Sequence, residues 1–589
     1  MSQKIWKRKY LQWSIVLLLL FVPSVWAADI YVSVVGGGDG SIATPMDLQA
    51  ALDLARTNGS EDTIYLMEGE YDASSAGVNT FEYGPLNNDG MKTTLSGSWN
   101  NTYTVQDTFE APSTKLDGKG TSRVLHVRAD GVSFDFAMEY MQLENGMITG
   151  NGEYGAGLLA YNENDGVLNL TLHHISFEDN KTAIDSNNIC YGGGMYSNCF
   201  FEMTESRFTD NQAFRGGAMY IADQPGGDKS MAPVIEDTFF EGNIAGNASN
   251  PGFIGSTILF ACSPVITQSE FRAPDYGDIG FFPNAALDSG YGAGTLTLEN
   301  STFSGYKALY WGGAISLWDT NANISNCLFI DNSAGNSNNG AGGAITIYDP
   351  SSGTPKNTTI TNCTFVGNRT NGYQESGGAI HNRVQGITII NSIFWDNGPR
   401  GLYSGSGAGT ISYSDVEGGL ADSYMTDGGN NIAVDPLFVD TSGVSDDWNL
   451  HLQTGSPCID SGDNTAVYLT QLDLDEYQRV SDGDQDGTAI VDIGVYEFLP
   501  PPPPDVIFIE DFTDAMKNND SEAAKTAITN LLSSGLETDQ LMLVLFEGIN
   551  QAFDAAILQE REKWDINGDG KMSIMEAIYA LKIASGTPL

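Results

Sequence analysis

Three copies of one phrase stand between Trp311 and Asn397: Gly312-Gly313-Ala314-Ile315, Gly342-Gly343-Ala344-Ile345 and Gly377-Gly378-Ala379-Ile380. Each copy is followed by a turn and by a second phrase of the form Asn-small-x-Phe-x-x-Asn, which occupies residues 326–332, 362–368 and 391–397. Repetition at a spacing of about 30 residues is typical of a chain that stacks one supersecondary unit on the next.

Weaker copies of the second phrase extend the repeat upstream. A phenylalanine recurs at intervals of 31, 32, 31, 32, 26, 36 and 29 residues, at Phe177, Phe208, Phe240, Phe271, Phe303, Phe329, Phe365 and Phe394. The residue two positions earlier is small in all copies but the first: Ile175, Ser206, Thr238, Ser269, Ser301, Cys327, Cys363 and Ser392. Because residues i and i+2 of a strand face the same side, both columns are predicted to line the interior of a narrow parallel stack, with coils ~4.8 Å apart.

The residue three positions before each phenylalanine is predicted to lie at a bend. The last four of these, Asn300, Asn326, Asn362 and Asn391, predict an asparagine ladder in which each amide bonds the next. The segments are short, β-branched and broken by Gly and Asn, which argues against a helical solenoid. The sequence therefore predicts a mainly β protein, a right-handed parallel β-helix, over residues 116–440.

These phrases carry a resemblance. The Gly-Gly-Ala-Ile and Phe-x-x-Asn pairs resemble the repeats of polymorphic outer-membrane proteins, and the coil pattern resembles the pectate-lyase-like β-helix superfamily. The segments Asp435–Asp440, Gly455–Gly462 and Asp492–Glu497 resemble the choice-of-anchor Q domain, and residues 441–499 are interpreted as such an end to the β-helix. The resemblance implies presentation outside the cell and no catalytic residue, since this fold hosts lyases, hydrolases, adhesins and inert stalks.

The two ends of the chain differ from the repeat. A basic stretch, the apolar run Ile15–Val22 and Val25-Trp26-Ala27 predict a signal peptide over residues 1–27, with an uncleaved anchor as the alternative. Residues 28–115 predict a cap whose amphipathic helix has Thr44 as N-cap and Pro45 as its first residue. A proline linker, 500–505, then precedes a predicted small all-α domain over residues 506–589.

The net charge limits the classes of binding partner, and the cysteine content permits disulfides. The formal net charge is −48, which repels nucleic acid and anionic lipid and disfavours an anionic polysaccharide unless cations bridge the two. Six cysteines permit disulfides in an exported chain. Cys190 and Cys199 could bridge, whereas Cys327 and Cys363 occupy the same inward slot of adjacent coils and could be ladder residues; the pairing stays open.

Residues 565–576 match a calcium-binding EF-hand loop. Oxygen ligands fall at Asp565, Asn567, Asp569, the carbonyl of Lys571, Ser573 and Glu576, with Gly570 at the sharp turn. A capping box of Ser573 and Glu576 is the alternative, but it leaves the Asp-x-Asn-x-Asp-Gly run unexplained. The segment also resembles half of a dockerin, which implies a docking partner, although dockerins have two such loops and this module shows one.

A second acidic loop contains Asp482, Asp484 and Asp486, followed by Asp492. Carboxylates that alternate this tightly repel one another unless a cation lies among them, so the loop predicts a second Ca²⁺ site. A solvated acidic turn is the alternative.

Candidate catalytic and glycan-binding residues come from the coils. Asp319 and Asp349 follow Trp318 and Tyr348 at equivalent places on adjacent coils, about 5 Å apart as in a retaining glycosidase. Any two equivalent residues on adjacent coils are ~4.8 Å apart, however, so this spacing distinguishes little. Trp318 and Tyr348 are predicted to point outward, where they could hold a sugar ring or lie under a loop. His381 and Arg383 are predicted to be exposed on the next coil, as an acid and base or as surface decoration.

Two functions remain open from the sequence. One is a secreted or cell-surface calcium-binding β-helix that contacts a polysaccharide or another cell-surface component without catalysis. The other is a polysaccharide lyase or glycoside hydrolase that uses the face around Trp318, Tyr348 and His381.

Overall fold

The computed structural model describes residues 28–500 with short gaps, together with Thr526 and Ile528. The gaps are 75–78, 85–89, 109–110, 183–188, 225–226, 247–254, 275–284, 291, 336–340, 349–355, 371–375, 384–385, 406–408 and 422. The chain divides into two units, Met1–Phe498 and Leu499–Leu589. The predicted signal peptide, the EF-hand loop and nearly all of the predicted all-α domain lie outside the described residues; Thr526 and Ile528 are helical.

The first unit is a parallel β-helix, as the repeat predicts. One wall is a sheet of eleven strands, the front sheet: Phe81–Tyr83, Leu125–Asp130, Leu158–Glu163, Met195–Ser197, Met219–Ile221, Ile258–Phe260, Leu287–Ser289, Ile315–Trp318, Ile345–Tyr348, Ile380–Asn382 and Leu402–Ser404. Neighbouring strands pair in register, so that Ile315, Ile345 and Ile380 lie directly above one another. The Ile of each Gly-Gly-Ala-Ile phrase thus faces the core.

The second wall is a sheet here called the angled sheet. Most coils contribute two consecutive short strands to it, here called the first and second legs of the coil. Its 24 strands are Ala28–Val32, Asp62–Met67, Gly69–Asp72, Thr93–Trp99, Thr114–Asp117, Phe134–Glu144, Leu168–Glu178, Phe200–Thr204, Arg207–Thr209, Val234–Glu236, Phe239–Glu241, Val265–Thr267, Glu270–Arg272, Thr295–Glu299, Thr302–Ser304, Asn321–Ser325, Leu328–Ile330, Thr358–Thr361, Thr364–Val366, Ile387–Ile390, Ile393–Trp395, Thr410–Ser412, Asp415–Val416 and Thr426–Asp427. The bend between the two legs is here called the corner.

Short strands complete the coils. Four pair after the earlier second legs, at Met147–Ile148, Lys181–Thr182, Gln212–Ala213 and Ile244–Ala245, and three after the later ones, at Lys307–Ala308, Ser333–Ala334 and Arg369–Thr370. Two antiparallel pairs follow the last coil: Phe438–Asp440 with Asn449–Leu452, separated by the 3₁₀ turn Ser445–Asp447, and Val480–Ser481 with Ile490–Val491.

The phenylalanine column fills the core. The eight predicted rings are at most 1% exposed and stack with centroid separations of 4.4–5.2 Å. The small column is buried beside it and has a second role, because its hydroxyls accept amide protons from the preceding coil. Ser206 accepts from the amide of Ile175 at 3.1 Å and Ser392 from that of Cys363 at 3.2 Å. Both columns therefore face inward, as predicted.

The main asparagine ladder lies at a different bend from the predicted one. It is built from the residue three positions after each phenylalanine: Asn180, Asn211 and Asn243 in one run, and Asn332, Asn368 and Asn397 in another, with amide-to-amide bonds of 3.0 Å. At the predicted bend, Asn326 bonds Asn300 and Asn391 bonds Asn362, but Asn326 and Asn362 turn to another part of the chain. The prediction of one continuous ladder there was wrong.

A helix packs on the cap region, but it begins later than the sequence suggests. It spans Leu48–Ala55, and its N-cap is Asp47, which accepts the amide proton of Ala50 at 2.9 Å. Thr44 is instead hydrogen-bonded by its hydroxyl to Asp39 at 2.5 Å, within a turn before the helix. The apolar face of Leu48, Leu52 and Ala55 is buried, as the pattern predicts.

The last part of the first unit, residues 436–498, is here called the tail. It packs on the outer side of the second legs of three later coils and forms a second core with them: Leu328, Ile330, Val366, Ile393, Phe438, Leu450, Leu452, Cys458, Ile493 and Val495. All six cysteines are described and buried, and no disulfide joins them, so the suggested Cys190–Cys199 bridge is absent.

Candidate functional site

The outer face of the front sheet carries one continuous column of residues. Strand register places Tyr196, Tyr220, Leu259, Asp288, Ser316, Thr346, His381 and Tyr403 above one another on this side. They alternate with the core residues of the same strands, because successive side chains of a strand point to opposite faces. Two groups of aromatic residues lie along this column.

The first group contains Trp318 and Tyr348, as the sequence suggests. Both are half-buried, and their ring centroids are 4.9 Å apart in an edge-to-face arrangement. Trp311 belongs to the same group, and its ring stacks on that of Tyr348 with a centroid separation of 5.9 Å. The guanidinium of the exposed Arg383 lies 5.7 Å from the ring centroids of Trp311 and of Tyr348. Since the Trp318 Nε1–H donates to Ser316 at 2.8 Å, the indole is held in one orientation.

A second aromatic group lies on earlier coils, and the sequence reasoning missed it. Tyr196 and Tyr220 stack at 5.5 Å with an interplanar angle of 4°, and Tyr154 and Tyr191 pack against them at 4.5 Å and 4.8 Å. The signal was present: Tyr196 and Tyr220 follow the phrases Gly-Gly-Gly-Met and Gly-Gly-Ala-Met, which are degraded copies of Gly-Gly-Ala-Ile. The residue after the fourth position of that phrase faces outward.

Asp288 lies in the column between the two aromatic groups. Its side chain is 2% exposed, and its Oδ1 has no hydrogen-bond partner among the described residues. Burial raises the pKa of this carboxyl well above its usual range, against the opposing effect of the positive charge on Arg215. This shift favours the protonated form of Asp288, a residue that the sequence reasoning did not single out.

The predicted catalytic residues do not form an exposed acid–base set among the described residues. Asp319 lies at a turn with φ of 51°, 3.6 Å from the ammonium group of Lys356, and Asp349 lies outside the described residues. His381 is 4% exposed and stacks on Tyr403 at 4.9 Å. Burial, helped by Arg383, lowers the pKa of His381 to about 4. The expectation that His381 is exposed was wrong, because the ring lies between neighbouring coils of the outer column.

The second acidic loop brings two predicted ligands together with one that was not predicted. Carboxylate oxygens of Asp460, Asp482 and Asp484 lie within 4.8 Å of one another. One oxygen of each of the first two is held by a backbone amide: Asp460 Oδ2 accepts from Asp484 at 2.6 Å, and Asp482 Oδ2 accepts from Gly487 at 3.0 Å. The other oxygens, Oδ1 of Asp460 and of Asp482, are buried and have no hydrogen-bond partner among the described residues. Three clustered carboxyl groups, two of which have a buried oxygen without a hydrogen-bond partner among the described residues, fit a hard divalent cation such as Ca²⁺.

Asp486 and Asp492 occupy different surroundings from these three. Asp486 is exposed and accepts the amide proton of Thr488 at 2.8 Å. Asp492 is buried; its two oxygens accept the amide protons of Asp460 at 2.7 Å and Phe498 at 2.6 Å, and burial raises its pKa to about 7. In this arrangement Asp492 positions Asp460 and does not face the cluster directly.

A second cluster of carboxylates differs from the first because lysine side chains are paired with it. Glu70, Asp117 and Glu144 also lie within 4.8 Å of one another. Lys119 forms ion pairs with Glu70 and with Asp117, the latter at 2.9 Å, and Lys115 forms one with Glu144 at 3.0 Å. These ammonium groups neutralise the carboxylates, so a bound metal is not required there.

The chain was compared with protein-family models, curated proteins and solved structures. No protein-family model and no curated protein matches the chain. The chain is similar to the crystal structure of pectate lyase Pel9A, with a TM-score of 0.32, 14% identity, and coverage of 81% of this chain and 98% of that one. It is also similar to the PL6 family alginate lyase AlyGC, with a TM-score of 0.26, 12% identity, and coverage of 76% of this chain and 60% of that one. At these scores the likeness carries no conclusion about activity. Among the described residues, no helix is long and apolar enough to cross a membrane.

Proposed function

We propose that this protein is an exported, calcium-binding β-helix that holds an extended polysaccharide on the outer face of its front sheet without cleaving it. The observation that carries the proposal is the pair of aromatic groups on that face, around Tyr196 and Tyr220 and around Trp318 and Tyr348. Export is proposed from the signal-peptide pattern over residues 1–27.

The spacing of the aromatic groups favours a polymer over a single sugar. Tyr220 and Ser316, the position two residues before Trp318, are separated by three steps of the register, through Leu259 and Asp288. At ~4.8 Å a coil, the centres of the two groups lie roughly 15–20 Å apart along the rod. An extended chain that follows the coil axis would span both groups, and its apolar ring faces would pack on the half-buried rings of Tyr220, Trp318 and Tyr348.

The proposal is tested by glycan binding with variants of both groups. A glycan array with the full chain identifies the polysaccharide, and its affinity is then measured for Trp318→Ala, for Tyr220→Ala and for Tyr65→Ala. Tyr65 is a half-buried aromatic residue of the angled sheet and serves as the matched control. We expect each front-sheet variant to lose on the order of tenfold in affinity and the control to bind as the unaltered chain does. Equal affinity for all three variants contradicts the proposal.

Asp288 favours a second candidate, a polysaccharide lyase or glycoside hydrolase. A carboxyl whose pKa is raised by burial, lying between the two aromatic groups, is the kind of group that would protonate a leaving oxygen. The two candidates are separated by a reducing-end release assay on every polysaccharide that the array identifies. Release that disappears with Asp288→Asn, or with Asp319→Asn or Asp349→Asn, replaces the non-enzymatic proposal.

Calcium is proposed at two places. Asp460, Asp482 and Asp484 would hold one ion, since their carboxyl groups cluster and each of the first two has a buried oxygen without a hydrogen-bond partner among the described residues. The loop with Asp565, Asn567, Asp569, Lys571, Ser573 and Glu576 would hold the other, on the motif alone. Anchoring through a docking partner of the C-terminal module remains part of the proposal on the same motif.

A further inference from the structure

The corner of the angled sheet has the same backbone shape in every coil but two different environments. The corner residue has a positive φ throughout, from 46° to 55°: Tyr140, His174, Glu205, Asp237, Gln268, Asn300, Asn326, Asn362 and Asn391. Asn326, Asn362 and Asn391 are buried, whereas Glu205, Asp237 and Gln268 are exposed. The difference follows from what covers the corner.

In the later coils the tail lies along the corner and is held there through its backbone. Asn362 donates to the carbonyls of Asp492 and Gly494 at 3.0 and 3.1 Å. Asn391 donates to the carbonyl of Asp463 at 3.2 Å and accepts from the amide of the same residue at 2.8 Å. A corner side chain thus pairs with main-chain groups of the segment that lies on it. This part of the corner is therefore the binding site of the tail.

In the earlier coils the same corner is an open groove. A cavity of about 470 Å³ runs past the corner residues His174, Glu205 and Asp237, and it is also lined by Pro112, Ile175, Ser176, Ser206, Arg207 and Phe239. Phe239 supplies an aromatic ring to the groove, and the guanidinium groups of Arg207 and Arg272 lie 4.6 Å and 5.2 Å from its centroid. The corner residues of the groove therefore have the same backbone conformation as those to which the tail binds.

The charge of the groove indicates the kind of segment that fits. Glu205 and Asp237 expose their carboxylates, and His174 Nδ1 lies 3.9 Å from Glu205. Arg207, the fixed cation of the groove, is already paired with Glu241 at 3.2 Å. The strands around the groove add exposed or half-exposed acids at Glu139, Glu202 and Glu236, whereas Glu270 is paired with Arg272 at 2.6 Å. A cationic segment finds uncompensated charge here, and an anionic one is repelled.

We propose that this groove, from His174 to Asp237, binds an extended basic peptide segment of a partner protein. The segment lies along the corner as the tail does in later coils, with its backbone beside the corner residues. Its lysine or arginine side chains pair with Glu205 and Asp237, and an apolar side chain packs on Phe239.

The test uses the full chain and a labelled peptide of repeating Gly-Ser-Lys, with repeating Gly-Ser-Glu as the charge-reversed probe, at physiological ionic strength. The double variant Glu205→Gln/Asp237→Asn removes the two groove carboxylates. Its matched control, Glu61→Gln/Asp165→Asn, removes the same charge from exposed positions outside the groove lining. Ser176→Trp fills the groove without a change of charge.

We expect the Gly-Ser-Lys peptide to bind on the order of tenfold more weakly to the double variant and to Ser176→Trp, and the control to stay within about twofold of the unaltered chain. An equal loss for the control pair shows general attraction to an acidic surface and overturns the proposal. Tight binding of Gly-Ser-Glu, or competition for the groove by a polysaccharide or by Mg²⁺ alone, overturns it as well. If Ser176→Trp fails to fold, the comparison of the two charge variants decides.

Discussion

At the scale of single residues, burial of the histidines makes stability depend on pH. His381 and His126 both have a pKa lowered from 6.5 to about 4, chiefly by burial. The unfolded chain takes up these protons at a higher pH than the folded chain, so the stability is fully present above pH 6.5 and is lost as the pH falls toward 4. Each histidine accounts for about 3 kcal/mol of this loss.

The variant His381→Phe tests this assignment. Phenylalanine keeps the stack on Tyr403 and cannot titrate, so the variant should lose less stability than the unaltered chain between pH 7.5 and pH 4.5. The free energy of unfolding from urea titrations at both pH values gives the comparison. Tyr403→Phe is the control, because it changes the same stack by one hydroxyl and should shift stability equally at both pH values. An unchanged pH dependence in His381→Phe would contradict the assignment.

The sequence predicts individual residues well where one physical demand sets them. Phe329 and Cys327 repeat because the interior of a stack has a fixed width, and period-two parity alone places them. His381 was misjudged because its burial comes from Tyr403 on the next coil, and parity cannot reveal what covers an outward residue. Asp460 was missed for a related reason: it lies 24 residues before Asp484 in the chain, and only the fold joins the two.

At the scale of the repeating elements, the asparagine ladder after the phenylalanine is a buried network that tolerates little change. Asn368 accepts the amide protons of Asn332, both backbone and side-chain, and donates to Phe329 and Asn397 at 2.9 and 3.0 Å. Asn368→Ala leaves several of these groups buried without partners. We expect it to lower the free energy of unfolding by about 3 kcal/mol.

The comparison for Asn368 is Asn169→Ala, measured by the same urea titration. Asn169 is an exposed asparagine of the angled sheet with a single side-chain bond to Asp135 at 2.9 Å. Its loss should cost no more than about 0.5 kcal/mol. Equal effects of the two variants would mean that the ladder contributes no more than a surface contact does.

Asparagine is favoured at two positions of this repeat for different reasons, which explains the misplaced ladder. At the corner it is favoured because it tolerates positive φ, as Asn326 and Asn362 do. Three residues after the phenylalanine it is favoured because buried amides pair in a stack, as Asn332 and Asn368 do. One letter satisfies both demands, so the sequence does not say which asparagine bonds its counterpart.

At the scale of the whole molecule, one buried cation, Arg479, connects the tail to the coils of the β-helix. Arg479 is fully buried and forms an ion pair with Glu497 at 3.1 Å; it also donates to Asn326 at the corner and to the carbonyl of Val495. Arg479→Met leaves Glu497 as an unpaired buried acid, which costs about 3–5 kcal/mol. We expect the tail to open locally while the coils stay folded.

Hydrogen exchange distinguishes the two parts. The amides of Gly494 and Val495 donate to Asn391 and Thr364, so they report on tail docking, whereas the amide of Thr364 donates to Cys327 within the rod. In Arg479→Met the tail amides should exchange faster with little change at Thr364. The double variant Arg479→Met/Glu497→Gln should recover part of the protection, since it removes the unpaired charge. Faster exchange throughout the rod would instead mean that Arg479 supports the coils themselves.

The docking site of the tail was also visible in the sequence, though only in retrospect. The residue after each column phenylalanine is polar in the earlier coils, from Glu178 to Ser304, and becomes Ile330, Val366 and Trp395 in the later ones. Outward apolar residues on a strand that already buries its inner face require a cover. The pattern thus predicts that something packs there, but not that the cover is the chain's own residues 436–498.

Calcium should act on this same tail, because Asp460, Asp482 and Asp484 all belong to it and join segments distant in sequence. Titration of the full chain with CaCl₂ by calorimetry should show two sites, one removed by Asp482→Asn and the other by Glu576→Gln. Glu144→Gln, in the lysine-neutralised acidic group, should remove neither. A free concentration 100 times the dissociation constant should stabilise the cluster in the tail by about 2.7 kcal/mol, seen as slower exchange at Gly494 and Val495. If Asp482→Asn leaves both the stoichiometry and this protection unchanged, the orphaned oxygens of Asp460 and Asp482 do not hold a cation, and the loop is a solvated acidic turn.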